Sequence, residues 1–278
     1  MIRISAFADE IAADLGEQIA VLLQEGIRHI DLRGAWGANV LDLTDAQITE
    51  ARRQLDEAGV RVAAIGSPIG KVPIDSDFDQ HLERFNQAVR LARVFEAPFI
   101  RIFSFYPPTD PASDADPATW RGDVLRRLTE MTARARAAGL TLVHENEKDI
   151  YGDTISRCVD LLTVVDDPSC GAALDPANFI QCGEEPFPAA YEALAPWIRY
   201  VHVKDARQDG TVTVAGEGLS NWPALLTRLR ADGYDGVLSL EPHLAEAGRF
   251  SGYSGPERFR GASQALQDLL KAMDWQFE

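Results

Sequence analysis

The sequence predicts a (β/α)8 barrel that forms a single domain over residues 1–278. Short runs of β-branched and aromatic residues alternate with longer segments of helical period along the whole chain. Strands that alternate with helices in this way pair in parallel through right-handed crossovers. Eight strand candidates without a long Pro-, Gly- or Ser-rich linker favour one barrel over two domains.

The elements of this barrel can be placed in order along the chain. The predicted strands begin at Ile2, His29, Val60, Phe99, Leu140, Cys170, Ile198 and Gly236. Thr44 followed by Gln47 predicts a capping box at one helix start, and Gly26, Gly59 and Gly139 end helices. An open doubly wound sheet is the alternative fold, but it normally carries a Gly-rich turn after an early strand. The segment "AFADEI" after the first strand contains no glycine. The loop from Tyr106 to Pro117, rich in Pro and Asp, is predicted to be an active-face loop or lid.

Composition excludes several classes of function. A formal charge of −16 disfavours binding to nucleic acid or to an anionic membrane. The apolar start of the chain reaches Asp9 and Glu10 too soon for a signal peptide, and no run approaches membrane-spanning length. The three cysteines lack CxxC spacing and are typical of reduced thiols. We therefore expect a cytoplasmic protein.

Ionisable residues stand at the ends of the last four predicted strands. Side chains alternate between the two faces of a strand, and catalytic residues of barrels lie at the carboxyl ends of the strands. If the aliphatic residues of each strand face the helices, one ionisable residue per strand faces the interior. These residues are Glu145, Asp175, His202 and Glu241.

Three carboxylates and an imidazole in one barrel mouth would repel one another unless positive charge lay among them. A divalent cation is the simplest such charge. The donor set suits Mn²⁺, Mg²⁺ or Co²⁺ best, with Zn²⁺ or Fe²⁺ as further options. Any one of the four residues could instead cap a helix or pair with Lys or Arg. Their occurrence on consecutive strands favours the metal site.

The stretch "LVHENEKD" contains three candidate polar residues, which the alternation separates. His144 shares a face with Leu142 and is predicted to pack against the helices. Glu147 shares the face of Glu145 but lies beyond the strand, so we expect it near the substrate and not on the metal. The zinc-protease helix signature is excluded because Lys148 stands where that signature requires a second His.

Four motifs carry a resemblance to a known superfamily. "HENE" after the fifth strand, "LDPANF" after the sixth, "VHVKDA" after the seventh and "LEPH" after the eighth resemble the xylose-isomerase-like barrels. This superfamily includes sugar phosphate isomerases and epimerases, ketose 3-epimerases, inosose dehydratases and isomerases, and endonuclease IV. The net charge of −16 speaks against the DNA-binding member.

The resemblance implies that Glu145, Asp175, His202 and Glu241 bind one divalent metal ion. It also implies that Glu145 and Glu241 act as an acid/base pair on a small-molecule carbohydrate, through an enediolate. A dehydratase or lyase on a keto-sugar or inosose is the alternative, with Glu147 or His243 as the extra acid. A non-catalytic sugar-binding barrel is the third possibility, and a homodimer is the assembly that the resemblance suggests.

The chain departs from ketose epimerases at two positions. Those enzymes usually have a His three residues after the sixth-strand Asp and an Arg six residues after the seventh-strand His. This chain has Asn178 and Gln208 there. The departures concern the substrate and the reaction subtype more than the metal.

Several further residues are predicted to contact substrate. Lys204, on the face of His202, is the strongest of them, and Lys71 ranks above Arg101 because it lies on a loop after Gly70. The remaining candidates are Asn178, Arg33, Ser67, Glu147 and His243. For Arg33, an inward salt bridge near the end of the second strand is an equally good interpretation. His81, in a helical segment, is predicted to lie on the surface.

Overall fold

Eight parallel strands form one sheet that curls into a nearly closed barrel, as the sequence predicts. The structure is a computed structural model that describes residues 1–109, 116–244 and 254–278. The barrel strands are β1 (Arg3–Ala6), β2 (His29–Leu32), β3 (Arg61–Ile65), β4 (Phe99–Ile102), β5 (Thr141–Glu145), β6 (Cys170–Leu174), β7 (Ile198–Val203) and β8 (Val237–Leu240). Each begins at its predicted residue or one residue later.

Helices surround the barrel between successive strands. They are α1 (Leu15–Gln24), α2 (Asp45–Ala58), α3 (Phe78–Val94), α4 (Arg121–Ala137), α5 (Ile155–Val165), α6 (Pro176–Gln181), α7 (Tyr191–Leu194), α8 (Trp222–Ala231) and α9 (Gly255–Ala272). The predicted capping box of Thr44 and Gln47 is confirmed, and Gly59 ends the same helix at a φ of 66°. Of the predicted lid, residues 110–115 lie outside the described residues.

The sheet closes between its first two strands through a side chain. Backbone ladders join β1 to β8 and then each strand to the preceding one as far as β2, so β1 and β2 are the two ends of the sheet. Between these ends, Ser5 on β1 donates a hydrogen bond of 2.8 Å to Asp31 on β2. Asp31 is fully buried in the barrel and also accepts hydrogen bonds from Tyr200 and Ser239. A carboxylate therefore ties together β1, β2, β7 and β8.

The barrel interior is apolar below this carboxylate. It is filled by Ala63, Ala64, Val143, Ala173, Tyr200 and Val237. Leu142 and Leu174 belong instead to the larger core between the strands and the helices. On β5 and β6 the side chains thus alternate as predicted, whereas on β3 both Ala63 and Ala64 belong to the interior, at a register shift in the ladder with β2. Within the described residues, no helix is both long and apolar enough to cross a membrane.

His81 is buried, so its predicted surface location is wrong. Its ring is 7% exposed on α3, and its Nε2 accepts a hydrogen bond of 3.2 Å from the backbone N–H of Gly70. Helical period alone does not tell which polar residue of α3 faces the loop after β3. Burial, with the charges of Arg127 and Arg84, lowers the pKa of His81 to about 4.

This burial predicts a loss of stability in mild acid. The pKa of His81 lies below its ordinary value of 6.5, so the unfolded chain binds more protons between these values and stability falls as pH drops through them. Replacing His81 with Gln keeps a hydrogen-bond acceptor and removes the titration. We expect the free energy of unfolding of the H81Q variant to fall by about 2 kcal/mol less than that of the parent between pH 8 and pH 5. Urea unfolding in the presence of a chelator measures the free energy of unfolding of the parent and of the H81Q variant at each pH. An identical pH dependence of the two proteins would contradict the prediction.

Candidate functional site

Four side chains meet at the carboxyl end of the barrel. Glu145 is the last residue of β5, Asp175 follows β6, His202 lies on β7, and Glu241 follows β8. One possible ligand atom from each lies within 4.8 Å of those from the other three, and all four residues are buried. We refer to them as the four-residue cluster. It could bind a metal ion.

Two buried atoms of the cluster lack a hydrogen-bond partner among the described residues. They are Oδ2 of Asp175 and Nδ1 of His202. The other oxygen of Asp175 has a partner: it caps α6 by accepting a hydrogen bond of 2.9 Å from the backbone N–H of Asn178. Nδ1 of His202 lies 3.3 Å from Oε1 of Glu145 and 3.6 Å from Oε2 of Glu241. Buried polar atoms are normally satisfied, so these atoms suit an ion held between them.

Three of the separations also fit an ion. Nδ1 of His202 lies 3.3, 3.6 and 3.9 Å from oxygens of Glu145, Glu241 and Asp175, within the span of about 4.2 Å between ligands on opposite sides of a Mg²⁺ ion, whose bonds are about 2.1 Å long. Three carboxylates and one imidazole form a mixed oxygen and nitrogen donor set, which suits divalent ions such as Mn²⁺ and Mg²⁺.

Two basic side chains already contact the cluster. Nη1 of Arg101 lies between Glu145 and Glu241, 3.1 and 3.2 Å from their oxygens. Nζ of Lys204 forms an ion pair with Asp175, 2.9 Å from its Oδ2, but the geometry is not that of a hydrogen bond. The same Nζ donates a hydrogen bond of 3.1 Å to Oε2 of Glu241. Both are almost fully buried. Arg101 and Lys204 therefore supply part of the positive charge that the sequence analysis assigned to a metal ion.

A second ionic group borders the cluster on the side of β1 and β2. Arg33 contacts Asp9 at 2.7 Å, Glu10 at 2.9 Å and Glu241 at 3.1 Å. The inward salt bridge expected for Arg33 is thus formed, and its partners are these three carboxylates. Sequence analysis missed Asp9 and Glu10 as site residues. Their position after the carboxyl end of β1 made them candidates, but it does not show that the loop turns toward Arg33.

The charges of the two groups do not balance. Five carboxylates (Asp9, Glu10, Glu145, Asp175 and Glu241) face three cations (Arg33, Arg101 and Lys204). Burial opposes protonation of His202, but the charges of Glu145, Glu241 and Asp175 raise its pKa overall. A protonated His202 leaves one excess negative charge in this largely buried space, and a neutral His202, as a metal ligand must be, leaves two. A single divalent ion would neutralise them.

Burial and neighbouring charges move the pKa values of the cluster in opposite directions. Burial raises the pKa of Asp175 to about 6, in spite of Lys204. Burial and the charge of Glu241 would also raise the pKa of Glu145, but His202 and Arg101 outweigh them and lower it to about 2. For Glu241, Lys204 and the other neighbouring cations outweigh burial and hold the pKa well below its usual range. Glu145 and Glu241 are therefore ionised at neutral pH.

Glu147 and Lys71 form a separate pair. Nζ of Lys71 lies 2.7 Å from Glu147 and 4.3 Å from the centre of the Phe103 ring. Burial and the nearby Glu145 raise the pKa of Glu147, although Lys71 opposes this. Of the two basic residues ranked from the sequence, Arg101 is the one in contact with the cluster, and Lys71 contacts Glu147.

The remaining predicted residues have defined positions. Asn178 donates 3.1 Å from Nδ2 to Oε1 of Glu145, and Ser67 is fully buried with its hydroxyl bonded to the carbonyl of Arg101. His243 has a half-exposed ring, with Nε2 3.1 Å from Glu10 and 3.8 Å from Glu241. His144 packs outward against Gly152, where an added Cβ would lie 2.6 Å from its ring. Asn178 thus holds the carboxylate of Glu145 and Ser67 holds the backbone of Arg101, whereas His243 lies at the edge of the site.

A buried carboxylate beside Lys204 holds the loop after β7. Asp205 accepts four backbone N–H bonds of 2.9–3.0 Å, from Ala206, Gly216, Gly218 and Ser220. The indole of Trp222 donates 3.1 Å to the carbonyl of Lys204. The loop and the start of α8 are thereby attached to Lys204, which follows directly on the strand that carries His202.

Comparison with known proteins places this architecture in a family. The family described as "Xylose isomerase-like TIM barrel" matches residues 19–272. An inosose dehydratase from Lacticaseibacillus casei is 23% identical over 132 residues, which are 41% of this chain and 44% of that protein. The match therefore spans less than half of the length of that relative.

Solved structures share the fold over the full chain. A D-tagatose 3-epimerase-like protein superposes with a TM-score of 0.78 at 16% identity, covering 98% of both chains. A xylose isomerase-like TIM barrel protein from Mycobacterium smegmatis, in complex with magnesium, has a TM-score of 0.71 at 20% identity, covering 97% of both chains. At these identities the likeness concerns the fold.

The contacts of Asp205 predict a large loss of stability on replacement by Asn. In the Asn side chain, an NH₂ group replaces one carboxylate oxygen and faces two backbone N–H donors, which thereby lose their acceptor. We expect this loss to lower the free energy of unfolding by roughly 2–4 kcal/mol. Urea unfolding measures this loss. Asp235→Asn, the same change at an exposed position, is the matched control and should cost less than about 0.5 kcal/mol. Equal effects of the two changes would refute the assigned role of Asp205.

Proposed function

We propose that this chain, which belongs to the xylose isomerase-like TIM barrel family, is a divalent-metal-dependent isomerase or epimerase. Its substrate would be a small sugar, sugar phosphate, sugar acid or cyclitol with a carbonyl group. The observation that carries the proposal is the buried four-residue cluster, which together with Asp9, Glu10 and their basic partners contains more carboxylates than cations. The ionised state of Glu145 and Glu241 supports their use as bases.

Glu145, Asp175, His202 and Glu241 would hold the ion. Mn²⁺ is our first choice, and Mg²⁺, Co²⁺, Zn²⁺ or Fe²⁺ are the others; the magnesium complex of the Mycobacterium smegmatis protein supports a divalent ion. When bound, such an ion polarises a carbonyl and its adjacent hydroxyl and so acidifies the C–H bond between them.

The side chains then divide the proton transfers. Glu145 and Glu241 approach the same guanidinium of Arg101 from two strands, so they can flank a substrate from two sides. One carboxylate removes the proton from the carbon beside the carbonyl and leaves an enediolate. The other, ionised at rest, takes up a proton from solvent and donates it to the enediolate, and the first then releases its proton to solvent. Lys204, with Nζ between Asp175 and Glu241, is placed to stabilise the negative charge that develops on the substrate oxygen.

The carbon that regains the proton decides the product. Return to the opposite face of the same carbon gives an epimer, whereas return to the neighbouring carbon gives an aldose–ketose isomer. In both cases a C–H bond is broken and a new one is formed. The aldose–ketose conversion also moves the proton of the hydroxyl to the former carbonyl oxygen, and the number of atoms is unchanged.

A dehydratase on a keto-sugar or inosose is the second candidate. The inosose dehydratase relative favours it. The reaction would need an extra acid at the departing hydroxyl. His243 lies 3.8 Å from Glu241 of the cluster, and Glu147 is paired with Lys71 two residues beyond Glu145 in sequence. A non-catalytic sugar-binding barrel is disfavoured, because all four ligand positions are filled by ionisable residues.

The metal site is tested by a matched pair of substitutions. Glu241→Gln should weaken the binding of Mn²⁺ at least about 100-fold, because loss of an orienting partner alone costs 10- to 100-fold and a ligand should cost more. Glu147→Gln makes the same change of charge at a residue proposed not to bind metal and should change the affinity by less than about fivefold. Equilibrium dialysis with elemental analysis measures both. Equal losses would contradict the assignment of ligands.

The chemistry is tested by hydrogen exchange. The metal-loaded protein is incubated in D₂O with ketoses, sugar acids and inososes. For samples that are followed by NMR, the protein is loaded with Mg²⁺ instead of Mn²⁺. We expect a C–H bond next to a carbonyl to exchange, and Glu145→Gln to slow the exchange at least about 100-fold. A product that has lost water would favour the dehydratase. Absence of exchange with every compound, together with normal metal binding by Glu241→Gln, would exclude the proposed mechanism.

A further inference from the structure

A cleft opens beside the four-residue cluster, between the loops that follow β1 and β2. Its volume is about 380 Å³, and its lining includes Asp9, Gln18, Arg33, Ala38, Asn39 and His243. Ligand pockets commonly begin near 300 Å³. The cleft lies at the carboxyl end of the strands, on the same face of the barrel as the cluster.

The cleft is joined directly to the cluster. Arg33 contacts Glu241 at 3.1 Å, and His243 lies 3.8 Å from the same carboxylate. Both residues also line the cleft. A molecule whose reacting carbon lay beside Glu241 could therefore extend past Arg33 and His243 into this space.

Two residues that line the cleft carry acceptor atoms without a partner. Oδ1 of Asp9 and Oε1 of Gln18 have no hydrogen-bond partner among the described residues, and both atoms are covered, so a rotation of each side chain is needed to bring them to the surface of the cleft. Gln18 is fully buried, and its amide nitrogen is already used by the carbonyls of Ala12 and Gly34. A buried acceptor without a partner is destabilising, and a bound donor would remove that cost.

The basic residue of the cleft has little capacity for an anion. The Nε, Nη1 and Nη2 atoms of Arg33 each face a carboxylate, on Asp9, Glu241 and Glu10 respectively. A phosphate in the cleft would also lie near two of these negative charges. Hydroxyl groups, in contrast, can donate to Asp9 and Gln18 without adding charge.

We propose that this cleft is a subsite for a second, uncharged polyhydroxylated group attached to the reacting ring. The proposal rests on the proposed function and narrows its substrate class to compounds larger than one sugar ring, such as a glycosylated ketose. Asp9 and Gln18 accept hydrogen bonds from hydroxyls of this group, and His243 borders it on the side of the cluster.

Binding of one-ring and two-ring ketoses tests the subsite. The probes are D-fructose and three of its glucosyl derivatives, turanose, maltulose and isomaltulose, which carry glucose at different hydroxyls. Saturation-transfer NMR and calorimetry with the Mg²⁺-loaded protein measure affinity without reference to turnover. We expect at least one of the disaccharides to bind tenfold or more tightly than D-fructose.

Two variants and a control connect this preference with the cleft. Ala38→Phe places bulk in the cleft, and Asp9→Asn replaces an acceptor by a group of the same size; each should reduce the preference at least fivefold. Because Asp9→Asn keeps the size of the side chain, it tests the subsite even if the Ala38→Phe variant does not fold. Ala137→Phe, an exposed position on α4, should leave the preference at its parental value.

The outcomes separate the subsite from the reaction. A disaccharide preference that both cleft variants reduce supports the subsite, even if no C–H exchange occurs and the proposed reaction fails. Exchange with D-fructose and no gain in affinity for any of the three disaccharides overturns the subsite and leaves the reaction intact. A preference that persists in both variants overturns the subsite as well.

Discussion

The imbalance of charge in the barrel mouth is the constraint on which the site depends. Five carboxylates and three cations lie in contact there, and most of them are removed from water. Burying like charges together is costly unless each has a partner. Arg101 joins two carboxylates of the cluster, Lys204 joins Asp175 to Glu241, and Arg33 joins Glu241 to the loop after β1. Removal of any one of these cations would leave a buried carboxylate uncompensated.

The strand ends were predictable because two geometric rules act together. Side chains alternate along a strand, and all strands of a parallel barrel end on one face. These rules suffice to bring Glu145, Asp175, His202 and Glu241 to one place, although 96 residues separate the first from the last in sequence. The same rules turn His144 toward the helices, where it lies against Gly152. For these residues the fold determines the position, and the loops have little influence.

The rest of the site could not be read from the sequence, because it depends on loop paths and on the reach of long side chains. Asp9 and Glu10 follow β1, but nothing in "AFADEI" indicates that its backbone turns toward Arg33. Arg101 was ranked below Lys71, since side-chain alternation does not show that a guanidinium spans the gap between Glu145 and Glu241. His81 was wrongly placed because a helical segment presents polar residues on several faces. The contacts of Arg33 and Arg101 join parts of the chain that are far apart in sequence, and that of His81 joins a helix to the loop before it.

The cations that compensate the cluster are also the groups that the proposed reaction requires. Lys204 and Arg101 are held among carboxylates by attraction that strengthens as water is excluded, so they are rigid before any substrate arrives. If a divalent ion neutralised the two remaining charges, the carboxylates would share their negative charge with it and hold these side chains less firmly. Their N–H groups would then be available to substrate oxygens without a new conformation. In the proposed reaction, therefore, the charge balance that stabilises the site also prepares its donors for an enediolate.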